Sequence, residues 1–167
     1  MPVLRWLVRI VTVLAALIAL VFFGARFHDG PLGPIPGGPL AAGEAVREPV
    51  TDWSFATDTG EIELQLASQQ RSRTVWFFVL DGKAYVPCSL GMPPGKTWYQ
   101  HAAADGRATL RIDGKRYPVT LTKVDDAVTQ QMGDAVRTEL GRKYGKLPPS
   151  EAGVWLFQVA SRPSEAT

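Results

Sequence analysis

Two short stretches of this chain carry side chains suited to gripping an anion. In Ser68-Gln69-Gln70-Arg71-Ser72-Arg73, two arginines stand just before Thr74 to Leu80, the stretch that reads as the most buried strand. A guanidinium matches a phosphate or carboxylate bidentately, so Arg71 and Arg73 are candidates for holding an anionic cofactor; the plainer reading is a solvated loop. Downstream, Gly91-Met92-Pro93-Pro94-Gly95-Lys96-Thr97 has the outline of a phosphate loop. That loop needs four residues between its glycines and here there are three, while Pro93 and Pro94 delete two amides that would cradle phosphates. Nucleoside-triphosphate binding is thereby excluded. Ser89, Lys96 and Thr97, at the start of a short helix, keep the capacity to hold a single phosphate group. Trp98 lies beside Lys96 in an irregular stretch and is the one aromatic candidate for a cofactor wall. Trp53, Trp76, Phe77 and Trp155 read as core.

Other chemistry is thinly represented. Cys88 is the only cysteine, so neither an intramolecular disulfide nor dithiol redox chemistry is available within the chain. Cys88 as a nucleophile with His101 as its base is one reading, and a core thiol in an apolar strand is the other. The two histidines, His28 and His101, are too few and too scattered for a histidine-rich metal site, and no metal is expected. No H-E-x-x-H, G-x-S-x-G or G-x-G-x-x-G occurs. Lys and Arg exceed Asp and Glu by 18 to 16, and Arg5 and Arg9 account for the whole difference. From Arg26 onward the chain is neutral, which leaves no cationic footprint for nucleic acid.

The segment that must position everything else comes first. Ile10 to Ala25 contains no charge, and with Trp6-Leu7-Val8 the run reaches about 20 residues, close to the roughly 30 Å of a bilayer core. Arg9 can snorkel to the headgroups and Trp6 suits the interface. Arg5, Arg9 and the α-amino group outweigh Arg26, so residues 1–26 are expected to form a single transmembrane anchor in the cytoplasmic membrane. The N-terminus then lies in the cytoplasm and the domain outside it, periplasmic in a two-membrane cell. A cleaved signal peptide is the competing reading, opposed by the bulky Val21-Phe22-Phe23 before Gly24-Ala25.

Residues 27–50 are rich in proline and glycine: Asp29 to Gly43 holds four prolines and five glycines. Such a segment is a spacer, or an extended strap lying over the domain. Residues 51–162 then read as one β-rich domain and 163–167 as a tail. Ile62, Leu64 and Leu66 alternate onto one face. Thr74 to Leu80 is apolar throughout, as a strand covered on both sides would be, and Asp81-Gly82 leads into a strand from Lys83 to Val86. Pro87 is expected to end pairing there or to form a bulge. Ala108 to Ile112, Asp113-Gly114 and Lys115 to Val124 repeat the hairpin. Lys96 to Ala104 suits a short helix. Asp125 or Asp126 caps a longer one carrying Val128, Met132, Val136 and Leu140, ending at Gly145 before Pro148. Val154 to Val159 is a final strand.

Asp81-Gly82-Lys83-Ala84-Tyr85-Val86-Pro87, Lys96-Thr97-Trp98-Tyr99 and Ala104-Asp105-Gly106-Arg107-Ala108-Thr109-Leu110-Arg111-Ile112 follow one another in an order that resembles the split β-barrel flavin-binding superfamily. Within it they resemble the deazaflavin-dependent nitroreductase branch. The resemblance covers about residues 62–162 and rests mostly on turn and core residues. It implies a mainly β (α+β) fold, an antiparallel split β-barrel with external helices, preceded here by one transmembrane helix. It also implies that Arg71, Arg73, Ser89 and Lys96 hold the phosphate of FMN or a deazaflavin, with Trp98 at or near the ring. Ser68 to Arg73 carries no glycine where that branch has a glycine-rich loop, and Pro93-Pro94 interrupt the second such segment.

Two function classes follow. One is a membrane-anchored flavin- or deazaflavin-dependent reductase, passing hydride to a small or quinone-like, lipophilic acceptor, with a homodimer in keeping with such barrels. The other is a non-catalytic envelope or small-ligand-binding module that binds no flavin.

Overall fold

The computed structural model describes residues 2–91, 93–145 and 153–163. Pro148 and the end of the expected tail lie outside the described residues. Helix α1 spans Pro2–Ala25, and its stretch Val3–Ala25 is long and apolar enough to cross a membrane. Its side chains are exposed from Val3 to Gly24; the last residue, Ala25, is 1% exposed, packed into the rest of the protein.

The strands are β1 (Glu44–Ala45), β2 (Glu61–Leu66), β3 (Ser72–Trp76), β4 (Phe78–Leu80), β5 (Lys83–Ser89), β6 (Arg107–Ile112), β7 (Lys115–Lys123) and β8 (Val154–Ser161). They form one sheet in the order β3-β2-β6-β7-β8-β5-β4, antiparallel throughout, with the short β1 added in parallel to the start of β7. The alternation in β2 and β6 sends Ile62, Leu64, Leu66, Ala108, Leu110 and Ile112 into one core with Val86, Val119 and Phe157. Both Asp-Gly turns take positive φ at each residue, 51° and 71° at Asp81-Gly82 and 48° and 76° at Asp113-Gly114, as a type I′ hairpin requires.

Four expectations are corrected. The α+β sheet curls around its core without closing into a barrel, because no ladder joins the terminal strands β3 and β4. These two are successive stretches of chain, separated only by Phe77, so the run from Thr74 to Leu80 is one strand broken in the middle. Pro87 does not end β5. It pairs with Leu156 of β8, while the β4 ladder on the other side of β5 stops at Tyr85, so an edge is available for a residue with no N–H to donate. The long helix is two: α3 (Asp126–Gln131) and α4 (Gly133–Tyr144), parted at Met132-Gly133, where glycine has the poorer helical propensity. Asp125 caps α3, its carboxylate accepting from the Ala127 amide at 2.8 Å. Helix α4 lies outside the sheet, where Val136 and Leu140 pack with Phe78, Tyr85 and Leu156. Helix α2 (Trp98–Ala104) instead turns Trp98 and Ala102 into the main core.

Asp29 to Gly43 is a strap, hydrogen-bonded across the outward face of β3, β2, β6 and β7. The Gly37 amide donates to the Ser72 carbonyl at 3.1 Å, and the Ser72 hydroxyl donates to the Gly38 carbonyl at 2.6 Å. The Leu40 amide meets Gln65 Oε1 at 2.8 Å, and Arg116 reaches the Leu40 carbonyl at 3.3 Å. Glycine is required at position 37, where a Cβ would lie 1.7 Å from the Gly30 carbonyl oxygen. The clamp is Arg111. Its Nη1 meets Asp29 Oδ2 at 2.6 Å, its Nε meets Glu63, and its side chain is 13% exposed.

Arg111→Met leaves two carboxylates facing each other and unpins the strap. The expected cost is about 2 kcal/mol, less than the 3–5 of a fully buried pair because Asp29 and Glu63 remain about a third exposed. In detergent this should lower the unfolding midpoint by roughly 4–8 °C. Burial pushes the Asp29 carboxyl up, but the Ala41 amide, Arg111 and the Ala42 amide together hold it below its ordinary value. A carboxyl depressed in the fold stabilises above its unfolded value of about 4, and that contribution disappears as pH falls through the folded value. Wild-type and variant midpoints should therefore converge in acid.

Candidate functional site

Strand pairing brings the sequence-predicted residues to one end of the core. Arg73 is opposite Leu64 and two residues before the buried Val75, so its side chain enters on the inward face of the sheet. Cys88 enters on that face too, from the end of β5, and Trp98 enters the same core from α2, against Phe157 at 5.7 Å between ring centroids. The Arg73 guanidinium lies over the Trp98 ring at 5.9 Å from its centroid. Lys96, half-buried just before α2, hydrogen-bonds the Cys88 thiol. Arg71 is close enough to Arg73 to repel it, and its Nη2 donates to the Pro36 carbonyl of the strap at 2.7 Å. Ser89 is the last residue of β5, half-buried beside Cys88. Arg73 and Lys96 thus stand at Cys88 and Ser89 adjoins it, while Arg71 and Trp98 join the group through Arg73.

Cations dominate this cluster. Arg73 makes a side-chain contact with Gln69 Oε1, a neutral acceptor, and no salt bridge joins Arg71 or Arg73 to a described carboxylate. The Nε atoms of both arginines are buried without a hydrogen-bond partner among the described residues. Burial, and after it the Arg71 charge, lower the pKa of Arg73. A half-buried cation beside a like charge, with a donor left over, is costly unless an anion joins it. Burial likewise pushes the Cys88 thiol up, despite Lys96 and Arg73, so it stays protonated at neutral pH. His101 sits exposed on α2 with no hydrogen bond to Cys88 among the described residues, which removes the nucleophile–base pair.

Two contributors were not singled out from the sequence. Trp155 is directly opposite Cys88 in the β5–β8 ladder, packed edge-on against Tyr99 at 5.1 Å, with Lys123 over its ring at 4.4 Å. The Pro36 carbonyl, from the strap, is the other. Only the strand register and the course of the strap could have indicated them.

No curated protein matches this chain. Residues 57–161, from just before β2 to the end of β8, match a family described as uncharacterized protein conserved in bacteria (DUF2255). That match takes in every sheet strand except β1 together with the whole cationic cluster, and the chain belongs to this bacterial family.

Proposed function

We propose that the chain is a single-pass protein of the cytoplasmic membrane whose domain, outside the cytoplasm, binds a phosphate-bearing flavin or deazaflavin and serves as a reductase of a small or quinone-like acceptor. The observation that carries this reading is the pair of orphaned Nε donors on the neighbouring Arg71 and Arg73, with Arg73 and Lys96 both acting on Cys88. Their number and charge suit a phosphate, and Arg71, Arg73 and Lys96 would hold it, with Ser89 adjoining and Trp98 forming part of the wall. The resemblance to split β-barrel flavoproteins is supported by terminal strands that are consecutive in the chain, as in a barrel opened at one seam. When bound, the cofactor would supply hydride transfer; the chain's own residues would bind and orient it and keep water from the Trp98 side. A non-catalytic anion-binding module is the second reading, favoured by Pro93 and Pro94 where phosphate-binding amides would serve best.

Titrating the full-length chain in detergent with FMN and with a deazaflavin, following tryptophan fluorescence, tests the choice. Micromolar binding that weakens about 10- to 100-fold in Lys96→Ala, the worth of one charge-assisted hydrogen bond, is expected. Binding of inorganic phosphate or pyrophosphate with no response to either flavin would establish the second reading instead.

A further inference from the structure

Helix α1 does not hand over to a free linker. Ala25 is buried, the Gly38 amide donates to the His28 carbonyl at 2.9 Å, and Arg111 grips Asp29 four residues past the helix end. The helix therefore leaves from the same layer as the strap, over β3, β2, β6 and β7, while α3 and α4 occupy the opposite flank. If α1 crosses a bilayer, the strap, joined directly to the helix end, is the part of the domain that starts at the lipid surface. That layer shows apolar groups where soluble surfaces usually do not. Phe27 is 78% exposed and packs edge-on against Phe23 of the helix at 5.3 Å. Leu32, 40% exposed, lies in a tight turn closed by mutual backbone bonds with Ile35. Arg26, exposed beside them, suits the headgroup zone.

We infer that the strap is a seat on the membrane surface, with Phe27 and Leu32 entering the lipid interface and holding the domain at a fixed height. The partner is the lipid surface itself, reached by continuity with α1, so the inference rests on the reading that α1 spans the membrane. Bromolipid quenching tests both together. Leu32→Cys, Phe23→Cys and Gln130→Cys (the last on α3) are labelled with bimane in the full-length chain and placed in nanodiscs with or without lipids brominated near the headgroup. Wild type serves as the blank, since its only cysteine is buried. Bromolipid should cut the Leu32 signal at least two-fold and leave that of Gln130 unchanged. A Leu32 label no more quenched than Gln130, with Phe23 quenched, overturns the seat and leaves the anchor standing. An unquenched Phe23 label overturns the anchor, and the seat with it.

Discussion

Arg73→Met should make the protein more resistant to heat and at the same time unable to bind its anion. The native side chain places a guanidinium on the inward face of the sheet, with Nε unsatisfied and Arg71 close by. Replacing an uncompensated, half-buried charge by an apolar side chain of similar length is commonly neutral or stabilising by 1–4 kcal/mol. Retaining the Trp98 contact and removing the repulsion should give about 1 kcal/mol, or roughly 2–4 °C in the unfolding midpoint. Ligand binding should fall about 100-fold or more, since a charged contact and its accompanying hydrogen bonds vanish together. Arg73→Lys separates charge from shape, because an ammonium keeps the charge but cannot make a bidentate contact. A wild-type protein more stable than Arg73→Met, measured without ligand, would mean that the cluster is satisfied internally and needs no anion.

Phe77→Ala should produce the largest loss of stability of any single truncation considered, about 3–5 kcal/mol. Phe77 is 0% exposed, packs edge-on against Trp53 at 6.3 Å, and separates the two terminal strands of the sheet. Its amide donates to the Gly60 carbonyl at 2.8 Å, and its carbonyl accepts from Lys143 Nζ at 3.4 Å. A void here would loosen both ends of the sheet and the purchase of α4 upon it. Thermal unfolding in detergent should show a fall of roughly 6–20 °C. Phe55→Ala, an aromatic 59% exposed that stacks on Trp53 from outside, should change it by less than about 1 kcal/mol. Equal effects at the two positions would contradict the assignment of Phe77 to the main core.

What could be read in advance was whatever is encoded over a few residues. Period-two alternation identified β2 and β6, and two Asp-Gly pairs identified the hairpins, because these signals come from the pleat and from turn sterics alone. The break at Phe77 was hidden inside an unbroken apolar run: all of its residues are suited to a strand, and only the separate pairing of β3 with β2 and of β4 with β5 divides them. The parting of α3 from α4 turned on one glycine within a regular apolar stripe. Of the site, Arg71, Arg73, Lys96 and Trp98 were recognisable by type, whereas the approach of Arg73 to Trp98 and of Arg73 and Lys96 to Cys88 depends on long-range register. A buried thiol among cations has no local signature, so Cys88 read as core or as a nucleophile.

The strap has one more consequence. A chain fastened to its anchor by Asp29, Gly37 and Gly38 behaves as a handle on a shaft and not as a float on a line. Each residue added to or removed from α1 would turn the whole domain by about 100° around the helix axis. Wherever two such helices pack side by side, the compass bearing of each cationic mouth would be dictated by which helix face is engaged.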